Sequence, residues 1–537
     1  MKTAAAKAHL LTGNKMRDDL NKIADELKID TKEYKGLLNL TKNMFKTKSP
    51  DTMLDESQKG GLKKTLGAFD LIMLGIGVMI GSGIFTALGI AAVGGNGTLG
   101  AGPAVIVSMV LASFCCIFSA MCYAEFATMI PVAGSAYIYT YATMGEFLAW
   151  IVGWSLIMEF LIGYIAVLSA WTGYLTEFIK GFSKYLPEWL YNPPIWLIQD
   201  YATAAHNLTK EGLNPDLIIP HIFGIPVCFS LPGVLFTIVV ASILIKGIKE
   251  SAAMTGVLVF IKLGVIALFV ITGAFYVKPE NWVPFAPNGI NGICVGAFLI
   301  FFAYLGFDAI STAAEETKNP QKNLPVGIIG SLAICTIVYI LTALVLIGIN
   351  PLSEINLQAP LAHAISSVGQ NWIAGLISIG ALAGLTSVLM VMMLAGTRVL
   401  YAMSRDGFLP KALQTLHPKF KTPYVVTILA AIICIMGSTF LNISTAAELC
   451  NFGTFTSFII VCVAVLILRK TDPERKRPFR VPFSPWFPLM GILCCGGLMF
   501  YSMRFLTTSK VLFPIWIALG IIIYFIYGYN QQRKIEK

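Results

Sequence analysis

Charged residues are scarce in this chain. Of its 537 residues, 13% are Asp, Glu, Lys or Arg and 56% are hydrophobic, and the mean hydropathy is +0.73. A soluble globular protein carries about 25% charged residues, so this composition excludes an ordinary soluble domain and indicates a membrane protein. The net charge of +10 does not predict nucleic-acid binding, because the basic residues lie mainly between apolar segments and form no patch interleaved with aromatic residues.

Metal-ligand and disulfide patterns are missing as well. The five histidines show no metal-ligand spacing, so neither a metal nor another cofactor is expected. Most of the eleven cysteines lie inside apolar runs, which argues against a disulfide framework. The longest predicted loop, residues 183–226, contains no cysteine, and we expect no disulfide-linked heavy chain as a partner. The chain also lacks a nucleophile elbow, a phosphate loop and a His/Glu metal pair, so it is not predicted to be an enzyme.

Long apolar runs are what the chain has instead. About twelve runs approach or exceed the roughly 20 residues that a helix needs to cross a bilayer. They lie near residues 67–93, 102–128, 146–177, 227–248, 251–277, 290–314, 326–349, 371–402, 424–441, 446–468, 486–505 and 511–529. We therefore predict an all-α membrane protein with about twelve transmembrane helices, surrounded by lipid. Lysines and arginines concentrate between alternate runs, which predicts that both termini are cytoplasmic and that the chain lies in the inner (plasma) membrane.

The first apolar run contains a sequence that interrupts a helix. The stretch Gly75–Phe85 (GIGVMIGSGIF) places two glycines around Ser82, and glycine holds a helix poorly. If the helix opens there, the amides that begin its second half suit a carboxylate and the freed carbonyls upstream suit an ammonium group, as in an α-amino acid. The alternative is a close-packing surface, because Gly77 and Gly81 form a G-x-x-x-G pattern.

A similar interruption occurs in the sixth run. Residues 301–308 (FFAYLGFD) place Gly306 and Asp308 in an otherwise apolar stretch. Five runs precede it. Because five is an odd number, a second set of five runs must enter the membrane with the opposite orientation. Two interrupted helices at matching positions of inverted halves predict a binding site at the membrane midplane.

This organisation divides the chain into three parts. Residues 1–62 are predicted to be a cytosolic N-terminal region, either amphipathic helix or loosely ordered, and residues 531–537 a cytosolic tail. Residues 63–530 form the twelve-helix domain. Within it we predict a first repeat at 67–277, a second repeat at 290–468 and two extra helices at 486–529.

Ionisable side chains inside apolar runs are costly and are usually functional. Lys262 lies near the middle of the fifth run, where it either releases and regains a proton or tethers carbonyls at the break in the first run. Glu159 in the third run either completes a proton path or pairs with another helix, and Gly163 lies one turn further along the same face. Asp308 either receives a cationic substrate side chain, caps the inner half-helix or titrates as a gate.

Two apolar side chains are candidates for shaping the pocket. Phe302 lies beside the second interruption and either covers the ligand or simply packs. Leu385 in the eighth run lies opposite the breaks if the two halves clasp, and its bulk then shortens the pocket.

Several separated motifs resemble one family. They lie at 63–85, 123–125, 131–137, 301–316, 398–407 and 477–482. Together they resemble the amino acid–polyamine–organocation (APC) superfamily, and in particular the bacterial members of its cationic amino acid transporter branch. The resemblance covers about 60–530, but the two further spans of the eukaryotic members are lacking. It implies a LeuT-like 5+5 inverted repeat with broken helices 1 and 6, plus two extra helices.

The resemblance also implies the residues of the site. It implies that the amides of Gly81, Ser82 and Gly83 hold the substrate carboxylate, and that carbonyls of the sixth helix hold its α-amine. Lys262 resembles a fifth-helix lysine that replaces a sodium ion, which implies proton coupling without sodium. The predicted substrate-binding residues are Ile80, Gly81, Ser82, Gly83, Ile84, Gly163, Phe302, Ala303, Leu305, Asp308 and Leu385, and the predicted proton-coupling residues are Lys262 and Glu159.

The function predicted from these features is secondary active transport of L-amino acids, either small neutral or cationic. We predict proton-coupled import by alternating access. A proton-independent exchanger of amino acids or polyamines is the close alternative. A non-transporting amino acid sensor, with residues 1–62 as its output arm, is the alternative from another class.

Overall fold

The computed structural model of the protein describes residues 44–49, 66–94, 98–130, 135–222, 225–246, 252–312, 317–420, 422–529 and 531. The predictions for the N-terminal region 1–62 and the tail 531–537 therefore fall almost entirely outside the described residues. Parts of the motifs at 131–137 and 301–316 also fall outside them.

The described residues are overwhelmingly helical, as predicted. The α-helices are α1 Ala68–Ser82, α2 Leu88–Val93, α3 Val105–Met129, α4 Ser135–Thr143, α5 Glu146–Ile157, α6 Gly163–Lys180, α7 Glu188–Tyr191, α8 Tyr201–Lys210, α9 Pro215–Ile218, α10 Leu231–Lys246, α11 Ala252–Ala274, α12 Gly289–Ile300, α13 Ala309–Thr312, α14 Pro320–Ile349, α15 Pro360–Ser367, α16 Asn371–Arg405, α17 Tyr424–Phe440, α18 Ile443–Thr471, α19 Trp486–Ser502 and α20 Ser509–Ile523. Strands β1 His221–Ile222 and β2 Ile225–Pro226 form a short antiparallel hairpin.

Short turns of other helix types interrupt or extend these α-helices. The π-helical turns are Gly83–Ala87, Met158–Ile162 and Tyr524–Gly528. The 3-10 turns are Gly102–Ala104, Ile195–Leu197, Pro279–Trp282, Phe301–Tyr304, Leu352–Glu354 and Lys411–Gln414. Such turns inside apolar helices often mark functional sites, because they change which backbone groups are paired.

Twelve apolar helical stretches occupy the positions that the sequence predicted. Seven stretches in the described part of the chain are long and apolar enough to cross a membrane, and five shorter apolar helices accompany them. The chain is therefore a multi-pass membrane protein. The inverted relation of the two halves, the division into repeats and the side on which each terminus lies stay predictions.

The first apolar helix lies at the centre of the bundle. α1 packs against α11, α14 and α16, and α14 also packs along α3. α16 packs along α6, and α18 packs along α6 and the π turn Met158–Ile162. This arrangement surrounds the interruption in α1 with helices from both predicted halves.

The long loop after α6 has a small core of its own. Ala204, Leu208, Ile219 and Cys228 are buried together there, apart from the main core. Asp200 caps α8 by accepting a hydrogen bond from the backbone N–H of Thr203 at 3.0 Å. Burial raises the pKa of the Asp200 carboxyl, and the hydrogen bonds from Thr203 oppose that shift.

Candidate substrate and coupling site

The interruption predicted in the first apolar run is present. Inside α1, Ile80 (φ −77°, ψ 89°) and Gly81 (φ 174°, ψ −82°) leave helical geometry. The extended φ of Gly81 suits any residue, but a Cβ there would lie 2.3 Å from Cγ2 of Val388 on α16. A glycine is therefore required by space, so the stretch is both a break and a close-packing surface.

The second interruption is also present. α12 gives way to the 3-10 turn Phe301–Tyr304, Leu305 is extended, and Gly306 adopts φ +110° before α13 begins. That φ favours glycine, and a Cβ on Gly306 would lie 2.3 Å from Cγ1 of Val78 on α1. The two breaks also approach each other, because a Cβ on Gly83 would lie 2.7 Å from the Cα of Ala303.

The hydroxyl of Tyr339 on α14 joins the two breaks. It lies 2.7 Å from the carbonyl oxygen of Met79 and 2.7 Å from that of Ala303. A phenol has one proton, so it donates to one of these carbonyls at a time. Sequence reasoning missed this residue, although a tyrosine in the middle of the seventh apolar run was the signal that pointed to it.

Lys262 on α11 contacts α1 just before the break. Its side chain is only 2% exposed, and its Nζ donates to the carbonyl oxygen of Gly77 at 2.6 Å and to Oγ of Ser387 at 2.7 Å. Oγ of Ser387 donates in turn to the carbonyl of Gly384 at 3.0 Å. One ammonium group therefore connects α11, α1 and α16. This contact is compatible with both interpretations of Lys262, as a proton carrier and as a tether.

Glu159 and Asp308, the two acids singled out by the sequence as site candidates, lie in one buried region. Glu159 sits in the π turn Met158–Ile162, and Asp308 follows the break in the sixth apolar helix. Both are buried, and they lie close enough to interact electrostatically with each other and with the hydroxyl of Tyr123. The Sγ of Cys450 on α18 donates to the carbonyl of Glu159 at 3.1 Å.

The other predicted substrate-binding residues surround the same centre. A Cβ on Gly384 would lie 3.3 Å from Cε of Lys262 and 3.5 Å from Cε2 of Phe85, which places the α16 turn that carries Leu385 beside the first break. Gly163 packs closely against α18, since a Cβ on Gly163 would lie 2.7 Å from Sγ of Cys450. The buried members of the predicted set are Ile80, Gly81, Gly83, Ile84, Gly163, Phe302, Ala303, Leu305, Asp308 and Leu385.

A cluster of charged groups closes one end of the bundle, which we call the basic end. Glu125 on α3 accepts hydrogen bonds from Nε of Arg469 at 3.1 Å, from Nη2 of the same side chain, and from the N–H of Val481 at 2.7 Å. Arg477 Nε lies 3.5 Å from the same carboxylate. We call these four residues the basic-end cluster. Nearby, the N–H of Lys318 donates to the carbonyl of Leu66 at 2.8 Å, which joins the chain before α1 to the chain after α13.

The opposite end contains a cavity of about 620 Å³, which we call the outer cavity. Amide, hydroxyl and imidazole side chains dominate its wall, together with one lysine and one glutamate. The residues lining it are Val93, Gly94, Gln199, Thr203, His206, Asn207, Lys210, Asn350, Leu352, Ser353, Glu354, Ile355, Asn356, Leu357, Gln358, His363, Ser367, Asn442, Ile443 and Ser444. The segment 352–358 packs between this cavity and the helices, since a Cβ on Gly173 of α6 would lie 2.4 Å from Cβ of Gln358.

Comparison with known proteins identifies the family of the chain. The model of the amino acid permease family matches residues 66–527. The chain is 41% identical to the methylthioribose transporter of Bacillus subtilis (strain 168), over 90% of this chain and 98% of the relative. It is 40% identical to the branched-chain amino acid permease BcaP of the same organism, over 91% and 99%. It is 33% identical to the chloroplastic cationic amino acid transporter 9 of Arabidopsis thaliana, over 84% and 74%.

These matches cover the predicted twelve-helix domain nearly from end to end. They confirm the predicted resemblance to the APC superfamily, and they place the chain in a transporter family and not among enzymes. The breaks in the first and sixth apolar helices, and the ammonium group of Lys262 beside the first, are the features around which the bundle packs. The chain belongs to the amino acid permease family of the APC superfamily.

Proposed function

We propose that the protein imports L-amino acids across the cytoplasmic membrane in symport with protons, by alternating access of a LeuT-like inverted repeat. The contact between Lys262 Nζ and the carbonyl of Gly77 supports this proposal most strongly. It joins a titratable group directly to the helix whose break forms one half of the candidate site. The basic end is then cytoplasmic, as the distribution of lysine and arginine predicts.

The substrate is held by backbone groups of both breaks in this proposal. The amides at Gly81, Ser82 and Gly83 begin the second half of the first apolar helix, and an amide terminus of this kind attracts a carboxylate. The carbonyls of the segment from Phe302 to Leu305 receive the α-ammonium. Because these groups are backbone atoms, they recognise every α-amino acid, and the surrounding side chains select among them.

In this proposal, the protonation state of Lys262 sets the strength of its hydrogen bonds to Gly77 and Ser387. A protonated Lys262 makes charge-assisted hydrogen bonds to α1 and α16, which hold the segment before the break in place. Loss of the proton weakens those bonds and releases α1 from α16. Glu159, buried near Asp308, is the second member of the proposed proton path.

The side-chain preference follows from the relatives and the pocket residues. BcaP is a branched-chain amino acid permease by name, and we propose that this chain carries neutral aliphatic amino acids. Phe85, Phe302 and Leu385 are buried around the breaks and suit an apolar side chain. The methylthioribose transporter, at 41% identity, favours a second candidate, a thioether sugar that would bind at the same site between the two breaks.

Uptake by purified protein in liposomes tests the proposal. We expect labelled leucine, isoleucine or valine to accumulate when the outside is more acidic, with no requirement for sodium and none for preloaded substrate. Unlabelled arginine should compete poorly. Uptake that needs preloaded amino acid and ignores the pH gradient would show an exchanger. Accumulation of methylthioribose without that of leucine would favour the second candidate, and binding without flux would favour a sensor.

A further inference from the structure

Asn451 is a buried amide on α18 that the proposed coupling does not use. It is 0% exposed, and its Nδ2 donates to the carbonyl oxygen of Phe298 at 2.7 Å and lies 3.4 Å from that of Leu299. Both carbonyls belong to the last turn of α12, which ends where the 3-10 turn begins. The carbonyl of Leu299 also accepts from the backbone N–H of Phe301, whereas the shorter bond from Asn451 reaches the carbonyl of Phe298 from outside the helix.

Lys262 makes the equivalent contact in the first half of the bundle. Its Nζ donates to the carbonyl of Gly77, four residues before Gly81 in the broken helix α1. Lys262 lies on the fifth apolar helix of the chain and contacts the first. Asn451 lies on the tenth and contacts the sixth. In each set of five, the last helix therefore donates from a buried side chain to a carbonyl that precedes the break in the first helix.

The two donors differ in their chemistry. An ammonium group can lose a proton, whereas a carboxamide stays neutral and keeps both N–H groups at every physiological pH. The surroundings of Asn451 suit a neutral donor, because Phe298 packs against Phe452 at 5.0 Å and against Phe455 at 5.6 Å between ring centroids. A charge among these rings, deep in the membrane, would be costly.

We propose that Asn451 is a positioning residue for substrate binding and the uncharged counterpart of Lys262. It fixes the end of α12 so that the carbonyls of the following turn are presented to the substrate's α-ammonium. Only the contact at the first break then responds to a proton, while the contact at the second break persists through the cycle. This inference rests on the proposed amino acid transport but not on the identity of the coupling ion.

Substitutions that remove the donor test this role. Asn451→Leu keeps the number and branching of the side-chain heavy atoms but replaces the amide by two larger methyl groups, Asn451→Ala truncates the side chain at Cβ, and Asn451→Ser leaves a shorter donor. Thr456→Val is the matched control, since within the described part of the chain its hydroxyl donates to the carbonyl of Phe452 in the same helix and to no other helix. Each variant is assayed in liposomes for the KM and maximal rate of leucine uptake and for the stimulation of uptake by an inward proton gradient.

We expect the Leu and Ala variants to raise KM about tenfold, the effect of leaving a buried carbonyl without its donor. Their maximal rate should change less than twofold, and stimulation by the gradient should match that of wild type. The Ser variant should fall between them and wild type, and the control should behave as wild type. Lys262→Ala should do the opposite and abolish stimulation by the gradient.

Three results would overturn the inference. They are a KM within twofold of wild type in both the Leu and Ala variants, loss of gradient stimulation in those variants, or failure of all three variants to fold while the control folds. The last result would mean that the amide serves only the fold. If wild type itself shows no gradient stimulation, proton coupling is wrong, but a raised KM still supports Asn451 as a positioning residue.

Discussion

The two ends of the bundle are closed in different ways. At the basic end, the carboxylate of Glu125, which is 1% exposed, is bonded by Arg469, which is 24% exposed, and by the N–H of Val481, so this cluster holds α3 against α18 and the segment after it. At the other end, segment 352–358 lines the outer cavity of about 620 Å³ and packs closely against Gly173 of α6. In the proposed alternating access, opening the basic end would separate charges, whereas opening the outer end would move this segment.

This difference indicates which transition is the harder one. Removing one partner of a fully buried ion pair costs about 3–5 kcal/mol and an exposed pair contributes about 0–1 kcal/mol, so the Glu125–Arg469 pair, of which only the arginine is partly exposed, lies between these limits. In the proposed cycle, the structure is therefore a state in which the basic-end cluster holds one end together and the outer cavity lies at the opposite end. The predictions below alter one end, the centre or the outer loop, in order of expected effect.

The largest effect is expected from breaking the basic-end cluster. Glu125→Gln leaves Arg469 without its carboxylate, and we expect the equilibrium to shift toward a conformation open at the basic end by about a hundredfold or more. The measurement is the distance between spin labels at Lys318 and Lys476, which should lengthen. Asp472→Asn is the matched control, because its pair with Arg475 is partly exposed and such pairs contribute about 0–1 kcal/mol. Unchanged label distances in Glu125→Gln would contradict a closing role.

The next effect is expected at the centre, between the two ends. Tyr339→Phe removes the hydroxyl shared by the carbonyls of Met79 and Ala303 and leaves both without that donor. We expect weaker binding of every transported amino acid by about 5- to 100-fold, measured as the ligand concentration that raises the melting temperature. Tyr164→Phe is the control, since that buried hydroxyl bonds only Thr237 among the described contacts. Loss of affinity for one amino acid alone would place Tyr339 at the side chain instead.

A smaller effect is expected at the outer end. Gly173→Ala places a Cβ against Gln358 and pushes away the segment below the outer cavity, at a cost of about 1–3 kcal/mol. Spin labels at Ser353 and Lys210 should move apart while the labels at the basic end do not. Gly375→Ala on α16 is the control, because a Cβ there meets nothing within 4 Å. Movement at the basic end in response to Gly173→Ala would show that the two ends are rigidly coupled.

The smallest effect is expected in the loop after α6, as a dependence of its stability on pH. Because burial raises the pKa of Asp200 in the folded loop, the charged form costs stability, and the loop should become more stable as pH falls through that raised pKa. Asp200→Asn keeps the cap on α8 and should remove this dependence, with a difference of about 1 kcal/mol or less. Hydrogen exchange of the α8 amides, corrected for intrinsic rates, measures it. An identical pH dependence in the variant would assign the effect to another group.

The sequence predicted the parts of the site whose signal is local. The two breaks were identified by local combinations of residues, two glycines around Ser82 in the first run and Gly306 followed by Asp308 in the sixth. Lys262 was placed at the first break by its depth in the membrane. Tyr339 and Asn451 were missed, since a single polar group in an apolar run acquires meaning only when its partner carbonyl, far away in sequence, is known.

The remaining predicted roles concern a bound substrate or the movement of helices. The roles of Glu159, Asp308 and Leu385 depend on a bound substrate, and the inverted relation of the halves depends on a comparison of helix directions. Gly163 lies against Cys450, so its predicted substrate contact requires α18 to move. These roles stay predictions because they concern motion, which hydrophobic patterning does not encode.

Two members of the basic-end cluster lie in the link that leads to the two extra helices. Val481 and Arg477 lie in the link between α18 and α19, outside the ten helices of the predicted repeats, and both act on Glu125. A carrier shortened after α18 would keep Arg469 but lose these two contacts, and ions or substrate would leak past an incompletely closed end. In the proposed cycle, the link to the two extra helices therefore takes part directly in holding the basic end closed.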